Sequence, residues 1–521
     1  MGNEFVYEDI TIPEMSMPEL LHESVAKHNV KPAMTFAGVE TTYSELLDRV
    51  QRVAKGLKNR GVSRGDHVAL MLPNCPQYPI SYYATLYLGA VVVQVNPMYQ
   101  PDELQHVLSD ADVKLLIVLD DLQPVYEAIK SETGVKEVIS VSLTTASSFD
   151  ELTQEEPIED GPVIINPKQD AAVIQYTGGT TGRSKGAVLT HFNIVANTLQ
   201  SSATQTVQQN VGNEKVLTVI PLFHVYGMTS AMSLTFYRGA NMLLLPRFDV
   251  EQVVAMIETE KPTSFPGVPT MYMALLQYYQ RKPFDLSSLS VFTSGSAPLP
   301  VEVIKKVNGL TTSPVLEGFG LSEASPVTHR NPLDGMQKTG SIGVPIPNTK
   351  SKIVDIATGA VDLPAGEVGE LVIAGPQIMK EYYKLPDETR NAIRDGWLYT
   401  GDLAKMDEDG YFFIVGRKKE MIIASGFNVY PIEVEGVIYK IPGVQEAAVI
   451  GVPDAYRGET VKAFVVKDKD ALLREEDIES YCKEKLASYK VPKAIEFLEE
   501  LPKTAVGKIL KRELVRTEKT K

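Results

Sequence analysis

The sequence predicts a large α/β N-terminal domain made of several subdomains, followed by a small α+β C-terminal domain. Three observations predict it. The chain has 521 residues, more than one hydrophobic core organises. Helical periodicity alternates with short β-branched runs through the first half. Beyond Gly340 the text changes to strands punctuated by glycine and proline, and after Gly416 it changes again.

Residues 43–50 have helical spacing and 67–71 read as a strand; 82–88 and 101–109 read as helices, each followed by a β-branched run, 90–93 and 113–118. Strands separated by helices imply parallel pairing through right-handed crossovers. The apolar stretch 86–95 reads as buried strand, being about half of the ~20 residues that a spanning helix needs. The acidic, proline-containing segment 149–170 reads as a surface connection, and alternation then continues to about Pro298. Runs such as 367–373 suggest a more antiparallel sheet. After Gly416 come helices near 432–439 and 475–486 with a hairpin-like pair of apolar runs between them, enough for a small α+β domain.

Composition narrows the function. The balance of 51 basic against 66 acidic residues, a net charge of -15, argues against a nucleic-acid partner, which needs a basic face, and no Lys/Arg run is long enough to dominate. Cys75 and Cys482 are far apart and the seven histidines lack ligand spacing, so neither a disulfide framework nor a zinc cluster is expected. The first residues carry Glu4, Glu8, Asp9 and Glu14 where a signal peptide needs a basic and then an apolar run; no secretion and a cytoplasmic location follow as expectations. Val6 stands where a myristoylation motif has Ser or Thr.

One segment carries most of the chemistry: Gln175-Tyr176-Thr177-Gly178-Gly179-Thr180-Thr181-Gly182-Arg183-Ser184-Lys185-Gly186, directly after an apolar run. Glycines let backbone N–H groups approach an anion, threonine hydroxyls add donors, and Lys185 adds positive charge, so the loop suits a phosphate. It is not the P-loop of NTPases, because Lys185 is followed by Gly186 rather than Ser or Thr. Taken alone, it also fits a flexible turn.

In this loop the chain resembles the adenylate-forming superfamily, which includes acyl-CoA synthetases, peptide-synthetase adenylation domains and luciferases. Further motifs follow in the family's order. Residues 317–323 (EGFGLSE) resemble its aromatic-and-acid motif, 399–403 (YTGDL) its ribose motif, 416–435 its hinge motif, and 502–508 (PKTAVGK) its C-terminal lysine motif. With Ser425-Gly426-Phe427-Asn428-Val429-Tyr430-Pro431, the text is similar to bacterial medium- and long-chain fatty acyl-CoA synthetases. Gly178 replaces the usual Ser, Ser184 the usual Pro, and Phe319 the more frequent Tyr.

The resemblance implies an ATP- and acyl-binding domain at 1–415, a hinge at 416–419 and a mobile domain at 420–521. The implied reaction is ATP-dependent adenylation of a fatty acid, then thioester formation with CoA. Lys508, His224, Thr181 and Lys185 are the implied catalytic residues. For ATP they are Thr177, Gly178, Gly179, Thr180, Thr181, Gly182, Lys185, Ser296, Glu317, Gly318, Phe319, Gly320, Ser322, Asp402, Arg417 and Lys508. Glu323 and Thr181 would hold Mg²⁺, as one carboxylate with phosphate oxygens commonly does. Lys419, Ser425, Gly426 and Phe427 would meet CoA. His224, Val225, Tyr226, Gly295, Gly318 and Val327 would line the acyl pocket, with Met228 a further apolar candidate. Fatty acid, ATP and CoA are the implied partners, with peripheral membrane contact and a homodimer compatible with the same reading. The rivals are an aryl-CoA ligase, an enzyme that acylates a carrier protein, and a catalytically silent nucleotide-binding protein. The segment Ser294-Gly295-Ser296-Ala297-Pro298 lacks the Gly-x-Ser-x-Gly spacing of a serine hydrolase.

Overall fold

The computed structural model describes residues 5–177, 184–205, 213–311, 313–454, 457–469, 471–504 and 507–520. Four sheets organise them. In a seven-stranded sheet, Val91–Gln94, His67–Met71, Leu115–Leu119 and Glu137–Val141 pair in parallel. Each run is nearly all apolar because helices cover both faces of such a sheet. Its other half departs from the expected parallel pattern: Ala171–Thr177 joins Val91–Gln94 in parallel, but then turns back on Lys185–Thr190 as an antiparallel pair. The chain between these two strands is too short for a crossover.

A nine-stranded sheet lies beside it, with Val291–Ser294 between Ser264–Gly267 and Val315–Gly320 in parallel. Alternation therefore runs past Pro298, to the strand that carries Glu317 to Gly320. An antiparallel five-stranded sheet contains Gly369–Ala374, Trp397–Met406 and Phe412–Arg417, as the change of texture beyond Gly340 predicts. The turn Lys418–Glu420 leads from it to the last sheet, where Val444–Asp454 and Gly458–Lys467 form the long hairpin. Helices Pro431–Ile438 and Glu475–Lys485 pack there, close to their sequence-based bounds. A third helix, Lys511–Thr520, was not expected; Leu514 and Val515 are its only apolar residues, too few to draw the eye in the sequence.

The stretch 86–95 is only partly strand. The helix Gln77–Tyr87 takes its first two residues, and Val91–Gln94 alone is extended. All the helix residues from Tyr78 to Tyr87 are buried, so the apolar text has no polar face to mark where helix ends. The connection 149–170 opens with a short helix, Ser148–Thr153, capped through Ser147 and Asp150. Both cysteines are buried and free.

Candidate active site

The site is built where three of the sheets meet. Thr177 pairs with Lys185 across the root of the glycine-rich loop, and the Thr177 hydroxyl donates to the Lys185 carbonyl at 3.4 Å. Gly178, Gly179, Thr180, Thr181 and Gly182 lie outside the described residues. Lys185 forms an ion pair with Glu388, and its ammonium lies 5.1 Å from the centre of the Tyr382 ring. The Tyr382 hydroxyl donates to Glu323 Oε1 at 2.6 Å. Glu381–Tyr382 is a two-residue edge strand that pairs with the lysine's own strand. Tyr382 therefore spans the gap between Lys185 and Glu323. Among the described residues, nothing donates to Glu323 Oε2. One open carboxylate oxygen, linked through Tyr382 to Lys185 at the loop's root, would fit Mg²⁺ completed by phosphate oxygens.

Asp402 and Arg417 face each other across antiparallel strands, with Arg417 Nε 2.9 Å from Asp402 Oδ1. Asp402 is 3% exposed, and its second oxygen, Oδ2, is buried with no donor among the described residues. Burial raises the Asp402 carboxyl above its usual range in spite of Arg417 and Lys508 nearby. A buried acceptor without a donor is costly unless something else supplies one, and sugar hydroxyls would.

Lys508 comes from the C-terminal domain into the field of Asp402, Arg417 and His224. Burial first, and the Arg417 guanidinium second, lower its ammonium to about 8. Gly507 holds φ +72, and a Cβ there would stand 2.4 Å from Thr270 Oγ1. Only glycine accepts that conformation and that approach together. Lys511 fixes the segment behind it, 2.7 Å from Glu435 and 3.6 Å from Glu420.

His224 follows the strand Lys215–Thr218 and precedes a π-helical turn, Gly227–Ser233, a form that often marks functional sites. Burial, with Lys508 beside it, lowers the imidazole to about 4, so it is neutral. The Tyr226 N–H donates to Nδ1 at 3.3 Å, which leaves the ring proton on Nε2. Val225, Tyr226, Met228 and Val327 are buried around it. The Tyr226 ring packs on Gly295, and its hydroxyl meets Thr293 Oγ1 at 3.0 Å. Ser296 has φ +69 and a buried hydroxyl without a partner among the described residues.

Other expected residues sit differently. The Glu317 carboxylate accepts from Leu299 N at 3.1 Å, tying the segment after Ser296 to its strand; burial raises it to about 7. Gly318 pairs with Arg330, Phe319 with His329 and Gly320 with Val327, so this strand edge faces an antiparallel neighbour. The Phe319 ring is half-buried, 6.2 Å from that of His329. Ser322 opens the short turn that carries Glu323. Ser425 and Gly426 form an exposed two-residue hairpin turn at φ +54 and +82, and Phe427 stacks on Tyr489 at 4.6 Å. Lys419 lies in the connecting turn, in the field of Glu388. Sequence reasoning missed Tyr382, Glu388 and Thr270; none stands in a motif, and only long-range pairing brings them in.

The chain belongs to the AMP-binding enzyme family, whose main domain matches residues 21–383 and whose C-terminal domain matches 433–508. Within it, a long-chain-fatty-acid–CoA ligase of Bacillus subtilis (strain 168) is 44% identical over 98% of this chain and 96% of its own. One from Escherichia coli O6:H1 is 39% identical over 96% and 94%. A feruloyl-CoA synthase of Amycolatopsis is 37% identical over 93% and 95%. Among solved structures, ATP-bound MatB from Rhodopseudomonas palustris has a TM-score of 0.89 at 33% identity, covering 97% of this chain and 99% of its own. A Mycobacterium tuberculosis fatty acyl CoA synthetase has a TM-score of 0.76 at 31% identity, covering 97% and 98%.

Proposed function

We propose that the chain is an acid:CoA ligase that converts a medium- or long-chain fatty acid and ATP to acyl-AMP and pyrophosphate, then passes the acyl group to CoA and releases AMP. Relatives named long-chain-fatty-acid–CoA ligase match nearly end to end and support the fatty acid. The observation that carries the reading is the convergence of Lys508, Arg417 and the open Asp402 Oδ2 at one place, built by two domains.

The roles follow from charge. Acid and nucleotide are both anions, so their reaction needs donors and cations aimed at the charge that grows on phosphorus. Asp402 Oδ2 accepts from a ribose hydroxyl. The neutral His224 donates from Nε2–H to the acid's carboxylate without adding a charge that would bind it too firmly. Lys508 reaches both carboxylate and α-phosphate. Glu323 holds Mg²⁺, which supplies charge neutralisation at the phosphates. The Ser425–Phe427 hairpin meets the pantetheine arm after the small domain has turned about 416–419. No described helix is long and apolar enough to cross a membrane, and we place the reaction in the cytoplasm.

An aryl acid is the second reading, favoured by the feruloyl-CoA synthase relative. A panel of fatty, cinnamic and benzoic acids, assayed for acid-dependent release of AMP and pyrophosphate, tests both. Fatty acids should lead in kcat/KM. Cinnamate in the lead would move the enzyme to aryl acids, and ADP with acyl phosphate would overturn adenylation itself.

A further inference from the structure

Behind Tyr226 lies a cavity of about 40 Å³, outside the nucleotide site and bounded by Thr293, Ser230, Arg330, Gln205, Glu214 and Arg238. Tyr226 adjoins it, because its hydroxyl meets that of Thr293 at 3.0 Å and Thr293 lines the space. For an acyl pocket the lining is unexpected. Beside Val216, Leu234, Ala240, Pro266 and Val291 the wall carries two guanidinium groups and a carboxylate, which an aliphatic tail alone does not call for.

The two arginines differ. Arg238 is compensated: its Nε donates to Glu214 at 3.2 and 3.1 Å, and Nη1 donates to Ser202 Oγ at 3.3 Å and the Gln205 carbonyl at 3.4 Å. Arg330 is not. It is 4% exposed and, among the described residues, donates only through Nη1, to Thr204 Oγ1 at 2.8 Å and the Ser201 carbonyl at 3.4 Å. Among the described residues no carboxylate pairs with it; the ionisable groups that face it are the phenols of Tyr7 and Tyr226. Ser230 is 8% exposed, and among the described residues its hydroxyl also lacks a partner, as does the buried hydroxyl of Tyr7. A buried cation with free donors and no anion is costly, and sites that keep one commonly use it for a ligand. Arg330 also stands opposite Gly318 in the strand register, which puts its backbone at the reacting end of the acyl pocket.

We infer that this cavity receives the end of an acyl tail that bears oxygen, a carboxylate or a hydroxyl, and that Arg330 with Ser230 reads it. The inference rests on the acid:CoA ligase reading and names the kind of acid. A methyl-ended tail would strip water from Arg330 and give nothing back, whereas an oxygen accepts from Nε and Nη2. The volume fits an end group with a few waters rather than a whole chain, since a water needs about 10–15 Å³ by this measure.

The test compares plain, ω-hydroxy and α,ω-dicarboxylic acids of equal length, from octanoate to hexadecanoate, by kcat/KM for AMP release. At one or more lengths an oxygenated acid should lead its plain counterpart roughly tenfold or more, the scale of a hydrogen bond to a charged group. Arg330→Met should abolish that lead. Arg330→Gln should lower the lead of a diacid more than that of a hydroxy acid, which separates a carboxylate ligand from a neutral one. Because each ratio is taken within one variant, loss of folded protein does not change it. Plain acids leading at every length, or an oxygenated lead that survives Arg330→Met, overturns the inference while leaving the ligase reading intact. No AMP with any acid overturns both.

Discussion

The C-terminal domain offers two loops, and they are made in opposite ways. The loop of Lys508 is fitted to the large domain: Gly507 is pressed against Thr270, and the buried ammonium lies in the field of Arg417 and Asp402. The hairpin of Ser425 and Gly426 stands in open space, where a Cβ on Gly426 would meet nothing within 4 Å. One loop is shaped by its contact with the large domain; the other is held only within its own domain, by the Ser425 N–H donating to the Arg457 carbonyl at 2.9 Å and by the stack of Phe427 on Tyr489, so whatever it meets must come to it. Each loop thus suits a different half-reaction.

The largest effect should come from breaking the fitted loop. Lys508→Ala should cost adenylation about a hundredfold or more, near the ~3 kcal/mol of a lost transition-state donor. Thioester formation from supplied acyl-adenylate should survive. Gly507→Val should follow the same pattern while leaving the ammonium in the chain, because its Cβ would collide with Thr270. Gly426→Leu should invert the result, lowering the thioester step about tenfold or more with adenylation intact, since the ATP site is untouched. Single-turnover measurement of each half-reaction decides it; equal losses in both would refute the division of labour.

A smaller effect separates the cation wall from the loop. Tyr382→Phe removes one hydrogen bond to Glu323, and adenylation should need more Mg²⁺, with turnover down by about tenfold or less. An unchanged Mg²⁺ titration would remove Tyr382 from that role. The smallest is a pH profile. A lysine lowered to about 8 is charged below that pH and loses its charge above it, so kcat/KM for adenylation should fall as pH rises through about 8. His224, neutral above about 4, should leave no inflection near its ordinary 6.5.

The fold class and the order of the motifs were legible because apolar spacing and glycine-rich signatures are local. Residues 67–71 and 475–485 show this; each is marked by its own composition. Less visible were features set by contacts distant in sequence. Tyr382 meets Glu323 across 59 positions, and Lys185 meets Glu388 across 203. The helix Gln77–Tyr87 was read only over its second half, as 82–88, for a different reason: burial on nearly every side weakens the period that reveals a helix. Arg330 was passed over because a lone arginine in a strand reads as surface, and only its burial makes it unusual.

The pairing of Lys185 with Glu388 has a consequence for how nucleotide enters. The same holds for Arg417 with Asp402: the cations are stored beside local acids, so the resting site has little net attraction to spend. A triphosphate reaching Lys185 must take it from Glu388, and Glu388, with a nearly half-exposed side chain, returns to water. Entry is thus an exchange of counter-ions. Added salt weakens the old pair as well as the new one, so the affinity for ATP should depend on ionic strength less steeply than the number of basic groups around the phosphates suggests.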